Sequence, residues 1–534
     1  MSLYVSLLKS GRFLLYILII TQLVSCAEGK EEKKNLNGQE KNNATMQIQN
    51  PVLPGDFADP SVVRTGNEYW ATATSSEWAP LFPLLHSTDL ENWEIVDHVF
   101  PEGLPEWAEA HFWAPEIAYD NNKYYIYYTA KKKEGPLCVG VASSDNPEGP
   151  YEDHGPIICQ EAGAIDGFQI RDDEGKLFLI WKEDGNSRGE PTPMWGQQMN
   201  EERTELIGDR FELFRNDPET WEGNLVEGAY LLKKNGFYYT FYSGDACCGR
   251  ECTYGIGVAR ARTLQGPWEK YENNPLKREN DQWKCAGHGS MVQDEAGRYF
   301  FLYHAYRKDG SVYTGRQGML AEVTWKEDGW PEFKETNTVT GTRKDNKKWN
   351  FEDNFETEEL SKTWQWPVGN PPTYELSRES LILESKTENL GAVLAQRTLS
   401  PDYEAITSIE IKENLLGEHG MAAIGDQNNA LGISYSGGKV VVWKIEQNKR
   451  TEVTQVKAPE VNEIFFKMGV EDGENYSFFW SEDGKQWHVL GEGASVNGFY
   501  LPPWDRAVRI GLVSKGEPGT EIAFNSFTIE MKND

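Results

Sequence analysis

The chain lacks a basic block. Its 53 Lys and Arg are outnumbered by 84 Asp and Glu over 534 residues, for a formal net charge of −31. Nucleic acid, whose phosphates are held by clustered cations, is excluded as a partner class. An acidic polymer is a poor substrate for the same reason. Long apolar runs are missing beyond the first 26 residues, so no interior segment reads as a membrane span. Cysteine is sparse, at seven residues. The densest group, Cys247-Cys248-Gly249-Arg250-Glu251-Cys252, lacks paired CxxC units and an adjacent His, which argues against a zinc site. Aromatics, by contrast, are abundant: 19 Trp and 24 Tyr. Most must be core, but apolar rings also stack on sugar faces, so part of the excess fits a carbohydrate site.

The chain is organised by a repeat. Asn224-Leu225-Val226-Glu227-Gly228-Ala229-Tyr230 leads through the turn at Asn235-Gly236 into Phe237-Tyr238-Tyr239-Thr240-Phe241-Tyr242, a strand-turn-strand pattern. Equivalent units place a special residue 11 positions before the same point of the second strand: Asp59 before Trp70, Trp113 before Tyr124, Asp166 before Leu177, Glu227 before Tyr238 and His288 before Tyr299. The aromatic runs near Tyr69, Tyr124, Leu177, Tyr238 and Tyr299 are separated by 55, 53, 61 and 61 residues, room for a four-stranded blade. Five such units predict an all-β fold, a five-bladed β-propeller whose innermost strands converge on one axis. Asp59, Asp166, Glu227 and His288 then meet there, although each alone would pass for an ordinary strand-end polar residue. A buried Glu at position 227 must be paired or kept protonated for use.

Residues 50–340 also carry ordered motifs. Ala58-Asp59-Pro60-Ser61-Val62, Trp113-Ala114-Pro115-Glu116, Ala164-Ile165-Asp166, Val226-Glu227-Gly228-Ala229 and Gly287-His288-Gly289-Ser290 resemble, in order and at blade spacing, those of glycoside hydrolase family 43. So does Tyr254-Gly255-Ile256-Gly257-Val258-Ala259. The resemblance covers about 290 residues and implies a five-bladed propeller with inverting glycosidase chemistry. Such enzymes need one carboxylate to activate water and one protonated carboxyl for the leaving oxygen. By the resemblance, Asp59 is the base, Glu227 the acid, and Asp166 raises the pKa of Glu227 and orients it. Gly167 departs from the family's usual Pro or Ser. The resemblance also implies that His288 lies near the axis in the substrate site, beside a structural calcium reached through water, since imidazole is a poor direct calcium ligand. No cofactor is implied for the chemistry. Arg316 matches a substrate-contacting arginine. Trp113 is the best candidate for a stacking wall; Trp78 and Trp107 are weaker ones. The implied substrate is a plant-type cell-wall glycan or oligosaccharide built on pentoses, with an α-L-arabinofuranosidase first and a β-xylosidase second. The rival class is a non-catalytic carbohydrate-binding lipoprotein, for which three converging carboxylates have no use.

At the start of the chain, Lys9 and Arg12 precede Phe13–Ile20, and Leu23-Val24-Ser25-Cys26 resembles a bacterial lipoprotein processing site. Residues 1–26 are therefore expected to be a signal segment with Cys26 acylated, and polar residues 27–49 a flexible tether. Membrane contact would be through that lipid alone, with the protein exported to the outer membrane, the periplasm or the cell surface. Six cysteines then remain, an even count that permits disulfides in an exported chain; one is expected to pin the loop at 247–252. After a polar join at 338–348, residues 350–534 show alternating strands that predict an antiparallel β-sandwich of the jelly-roll kind. The short join predicts that this sandwich docks on the propeller.

Overall fold

A computed structural model describes residues 48–334, 350–377, 379–491 and 495–532. The expected signal segment, the lipidation at Cys26, nearly all of the tether and the join at 338–348 lie outside the described residues. Among the described residues no helix is long and apolar enough to cross a membrane.

The first part forms five four-stranded antiparallel sheets, each following the chain from the axis outward. Their innermost strands are Ser61–Thr65, Ala108–Asp120, Ala164–Arg171, Val226–Lys234 and Trp283–Gln293. Each packs against its neighbours in sequence and the fifth returns to the first, which closes the ring of a five-bladed propeller. The segment before blade one seals the join, for Val52 and Gly318 on blade five are bonded by backbone at 2.9 Å. Hairpin turns follow local chemistry. Asn121-Asn122 and Asn235-Gly236 sit at positive φ, matching the twist of the strands they connect. Aromatic and aliphatic side chains on alternate positions fill the spaces between blades.

The inner strands break register near the axis. Bulges fall between Trp113 and Glu116, Ile165 and Phe168, Glu227 and Tyr230, and Gly287 and Gly289. At each bulge one residue is left-handed: Ala114 (φ 44°), Asp166 (58°), Gly228 (63°) and His288 (25°), with Asp59 (49°) at the equivalent point of blade one. The sequence repeat is thus correct in blades one, three and five and displaced by one residue in blades two and four. Blade four has a clear reason for glycine there: a Cβ at Gly228 would lie 2.8 Å from the His288 ring.

The C-terminal part is a β-sandwich. A nine-stranded sheet built on Glu521–Met531 and Tyr403–Glu410 faces a six-stranded sheet running from Ala392–Arg397 to Lys449–Lys457. Phe466, Phe524 and Phe527 pack with Leu394, Met421 and Leu512 between them. That core continues into the propeller through Tyr254, Tyr306 and Tyr313. Trp366-Pro367 pairs as a short strand with Trp78-Ala79, which makes Trp78 a buried interface residue rather than a sugar wall. Trp107 likewise stacks on Tyr128 within blade two.

A buried ionic junction crosses the same interface. Asp56 Oδ2 accepts from Arg509 Nη2 and from the Ala507 backbone, both at 3.1 Å, while its Oδ1 accepts from the Arg316 backbone at 3.3 Å. Burial by itself would raise the Asp56 carboxyl, but Arg509 and Arg316 outweigh it and hold it below its usual range. Truncating one partner of such a junction strands the other charge, at roughly 3–5 kcal/mol. Asp56→Ala should therefore lower the thermal midpoint by many degrees, and a fragment ending at residue 334 should melt earlier still. Melting of either at the wild-type temperature would mean that the docking contributes nothing to stability.

Candidate active site

The left-handed inner residues need partners for their backbone N–H groups, and the preceding blade supplies them. His304 Nδ1 accepts from Asp59 (3.0 Å), Thr74 Oγ1 from Ala114 (2.8 Å), Thr129 Oγ1 from Asp166 (3.1 Å) and Ser243 Oγ from His288 (2.8 Å). Blade three breaks the pattern. Its equivalent residue is Lys182, which reaches Glu227 Oε2 at 2.6 Å instead. The N–H of Gly228 is then taken by Asp166 Oδ2 at 3.0 Å. Backbone strain of about 1–2 kcal/mol per left-handed residue is thus held by a second ring of side chains just outside the first.

This geometry brings Asp59, Trp113, Asp166, Glu227, His288 and Arg316 to one cavity of about 480 Å³. All the site residues read from the propeller sequence line it except the weaker wall candidates Trp78 and Trp107. Gly167 has a packing reason: a Cβ there would lie 2.4 Å from the Val139 side chain.

Three buried carboxylates face three cations. Arg316 Nη1 lies 3.3 and 3.4 Å from the two Asp59 oxygens, and Thr74 donates to Asp59 Oδ2 at 2.7 Å. Burial would raise the Asp59 carboxyl, yet Arg316 and then His288 hold it well below the usual range. His288 Nδ1 stands 3.4 Å from Asp59 and 3.9 Å from Asp166. Burial would lower its pKa; the two carboxylates raise it to about 9, so the ring is an imidazolium at neutral pH. His304 behaves oppositely. Burial pushes it down to about 4, and a neutral ring is what its acceptor role toward the Asp59 N–H requires.

Glu227 corrects one expectation. Burial raises it, but Lys182 and the hydroxyl of Tyr254, which donates to Oε1 at 2.8 Å, bring its carboxyl below the ordinary value. The carboxyl that rises is Asp166, pushed to about 6 by burial, with Glu227 and Asp59 outweighing part of the pull from His288 and Lys182. In the free site Asp166 is thus the carboxyl held above its usual range and Glu227 the one held below it.

Arg316 lines the cavity, and its Nη2 also donates to the Asp505 backbone carbonyl at 2.9 Å, which joins Asp59 to the sandwich. Trp504 and Asp505 line the cavity as well, and Trp504 meets Trp113 edge-on at 6.0 Å. Among the described residues no group of three or more His, Cys, Asp or Glu could ligate a metal directly, so a calcium near the axis would have to be held through water.

Sequence reasoning missed Lys182, Tyr254, His304 and the two sandwich residues. Lys182 left a signal: Lys182, Ser243 and His304 stand 16 residues after Asp166, Glu227 and His288, and Thr129 stands 16 after Trp113. A lysine among hydroxyls and a histidine at one repeat position is conspicuous. Trp504 and Asp505 left none, since their place depends on docking.

A family model described as "Glycosyl hydrolases family 43" matches residues 48–331, and one described as "Beta xylosidase C-terminal Concanavalin A-like domain" matches residues 352–502. Among curated proteins the chain is 28% identical over 363 residues to xylosidase/arabinosidase 43B of Humicola insolens, covering 62% of this chain and 64% of that one. It thus spans less than two thirds of that relative's length. It is 26% identical over 509 residues to a beta-xylosidase of Bacillus subtilis, covering 83% and 91%. The solved structure of the BlXynB protein of Bacillus licheniformis superposes with a TM-score of 0.76 at 25% identity, over 91% of this chain and 100% of that one.

Lys182 is 2% exposed and bonds both Glu227 and Asp184. In a Lys182→Met variant Glu227 is left buried without its cation, so its folded pKa rises above the unfolded value. Native protein then binds more protons than unfolded chain, and stability recovers as pH falls. We expect a loss of roughly 3–5 kcal/mol at pH 7 and a clearly smaller one at pH 5, read from thermal melts at both. An equal loss at both pH values would remove Lys182 as the group that keeps Glu227 ionised.

Proposed function

The chain belongs to glycosyl hydrolase family 43, and on that premise we propose that it is an inverting glycosidase releasing terminal pentose from a plant-type glycan. The observation that carries the proposal is the division of labour among three buried carboxylates, each with its own counter-charge.

Asp59 is the base. Held ionised by Arg316, it keeps an unprotonated oxygen for a water that attacks the anomeric carbon. Glu227 is the acid. It must collect a proton before it can donate one, and Asp166, bonded to the next backbone N–H along the chain, holds one at slightly acid pH. Lys182 has Asp184 as a second partner at 2.9 Å, so it can release Glu227 without being stranded. Sugar entry excludes water and raises the cost of the Glu227 charge, which draws the proton across. Trp113 offers an apolar face to the ring.

Resemblance of the propeller motifs favours an α-L-arabinofuranosyl substrate. A β-xylosyl substrate is the second reading, supported by the long alignment with the Bacillus subtilis beta-xylosidase and by the description of the C-terminal domain. Export as a lipoprotein through Cys26 belongs to this proposal too, on the residues of the N-terminal segment.

Nitrophenyl arabinofuranoside and nitrophenyl xyloside, assayed side by side on the protein without its first 26 residues, separate the two substrates. No turnover of any pentoside would favour the binding-protein reading. The released sugar should show inverted configuration by NMR in the first turnovers; retention would remove Asp59 as base. Since Asp166 titrates at about 6, kcat/KM should fall as pH rises above that value and the stored proton is lost. Glu227→Gln should slow poor leaving groups by about 10²–10⁴-fold and activated aryl glycosides far less. Equal losses on both would take the acid role from Glu227.

A further inference from the structure

A second cavity of about 570 Å³ adjoins the catalytic one. The two share five wall residues: Asn186, Leu225, Cys247, Cys248 and Trp504. They are two chambers of one space, divided at a disulfide between sequence neighbours, Cys247 and Cys248. We propose that the second chamber is a subsite for the leaving-group portion of a neutral glycan, with the vicinal disulfide as the wall over which its sugar ring passes. The proposal rests on the glycosidase reading above and extends it from the bond that breaks to the chain beyond it.

The chemistry of the walls selects the ligand. Among the described residues no Lys or Arg lines the second chamber, and Glu190 is its one charged group. A uronic-acid or otherwise anionic chain has no counter-charge there. Asn216 and Asn224 supply amides, although Asn216 is already bonded to Thr192 and Gly223. The Asn186 side-chain carbonyl is buried at the divide without a hydrogen-bond partner, an acceptor left for a hydroxyl. Trp504 is 60% exposed, a large ring with no core to fill. The disulfide adds two polarizable sulfurs and no S–H donor. Apolar faces with a few neutral amides and an unfilled acceptor are what a sugar ring recognises.

The loop bearing the disulfide is also held still. Cys252–Cys285 ties its end to the inner strand of blade five. Asp245 pairs with Arg278 at 2.9 Å, Thr253 bonds Ala246 at 2.9 Å, and Lys284 bonds the Arg250 carbonyl at 2.8 Å. A wall fixed beforehand costs little ordering when a ligand arrives. The only moving part needed is the substrate.

The test compares two substrates. A pentosyl fluoride has a one-atom leaving group that cannot enter the second chamber, whereas a pentosyl tetrasaccharide must. Two variants are used: Cys247→Ala/Cys248→Ala, which removes the wall, and Ala246→Trp, which fills the chamber from an exposed position. We expect kcat/KM on the tetrasaccharide to fall about tenfold or more relative to the fluoride, mainly through KM, in both variants. Parallel changes on the two substrates, or none, would overturn the subsite. If the wild type turns over neither substrate, the glycosidase reading fails on its own. Calorimetric titration with the tetrasaccharide then decides the subsite: weaker binding by both variants than by wild type upholds it, and equal binding overturns it.

Discussion

Three carboxylates packed around one propeller axis cannot stay buried unless something balances them, and most of this molecule's local structure follows from how that is done. Two unit charges about 4 Å apart interact by about 4 kcal/mol at an effective dielectric of 20. Contacts of that order join Asp59 to Arg316, Asp166 to His288 and Glu227 to Lys182, and without them the three carboxylates would be left unbalanced. The cations are not interchangeable. Arg316 sits on Asp59 and keeps it charged, Lys182 sits on Glu227, and His288 is divided between Asp59 and Asp166. The unequal sharing leaves Asp166 as the one of these three carboxyls held above its usual range. A propeller suits this arrangement because each blade turns in at a bulge, and the left-handed residue there faces the axis. Its N–H is met by the neighbouring blade, so the charges and the backbone geometry hold each other in place.

The sandwich belongs to the same balance. Arg316 spends one nitrogen on Asp59 and another on the Asp505 carbonyl, and its backbone N–H on Asp56, which is itself pinned by Arg509. The position of the proposed base is thus tied to a residue nearly 450 positions away. Trp504 extends the same contact to the cavity mouth, where it stands beside the vicinal disulfide. The second domain completes the site rather than being a module appended to it.

Much of this was legible in the sequence. The 11-residue register and blade spacing led to five blades, and Asp59, Asp166, Glu227 and His288 were found because one repeat position carried unusual residues. Register failed by one residue at Trp113 and Glu227, because a bulge changes which residue turns left-handed without changing the strand pattern. Lys182 lies on the second ring, which the 16-residue spacing marks and the 11-residue register does not. The order of the carboxyl pKa values was not legible at all. It depends on a 2.6 Å contact between blades three and four, which the strand repeat does not encode. Trp78 and Trp107 show the limit of composition: tryptophan near a cleft is more often holding two elements together than waiting for sugar.

The most direct test is a carboxyl-carbon NMR titration of protein labelled at Asp and Glu side chains, assigned with Asp59→Asn, Asp166→Asn and Glu227→Gln. The account predicts that Asp166 takes up its proton near pH 6, while Asp59 and Glu227 stay ionised to lower pH than an ordinary carboxyl. A free site in which Glu227 carries the proton at pH 6 and Asp166 is ionised would contradict it.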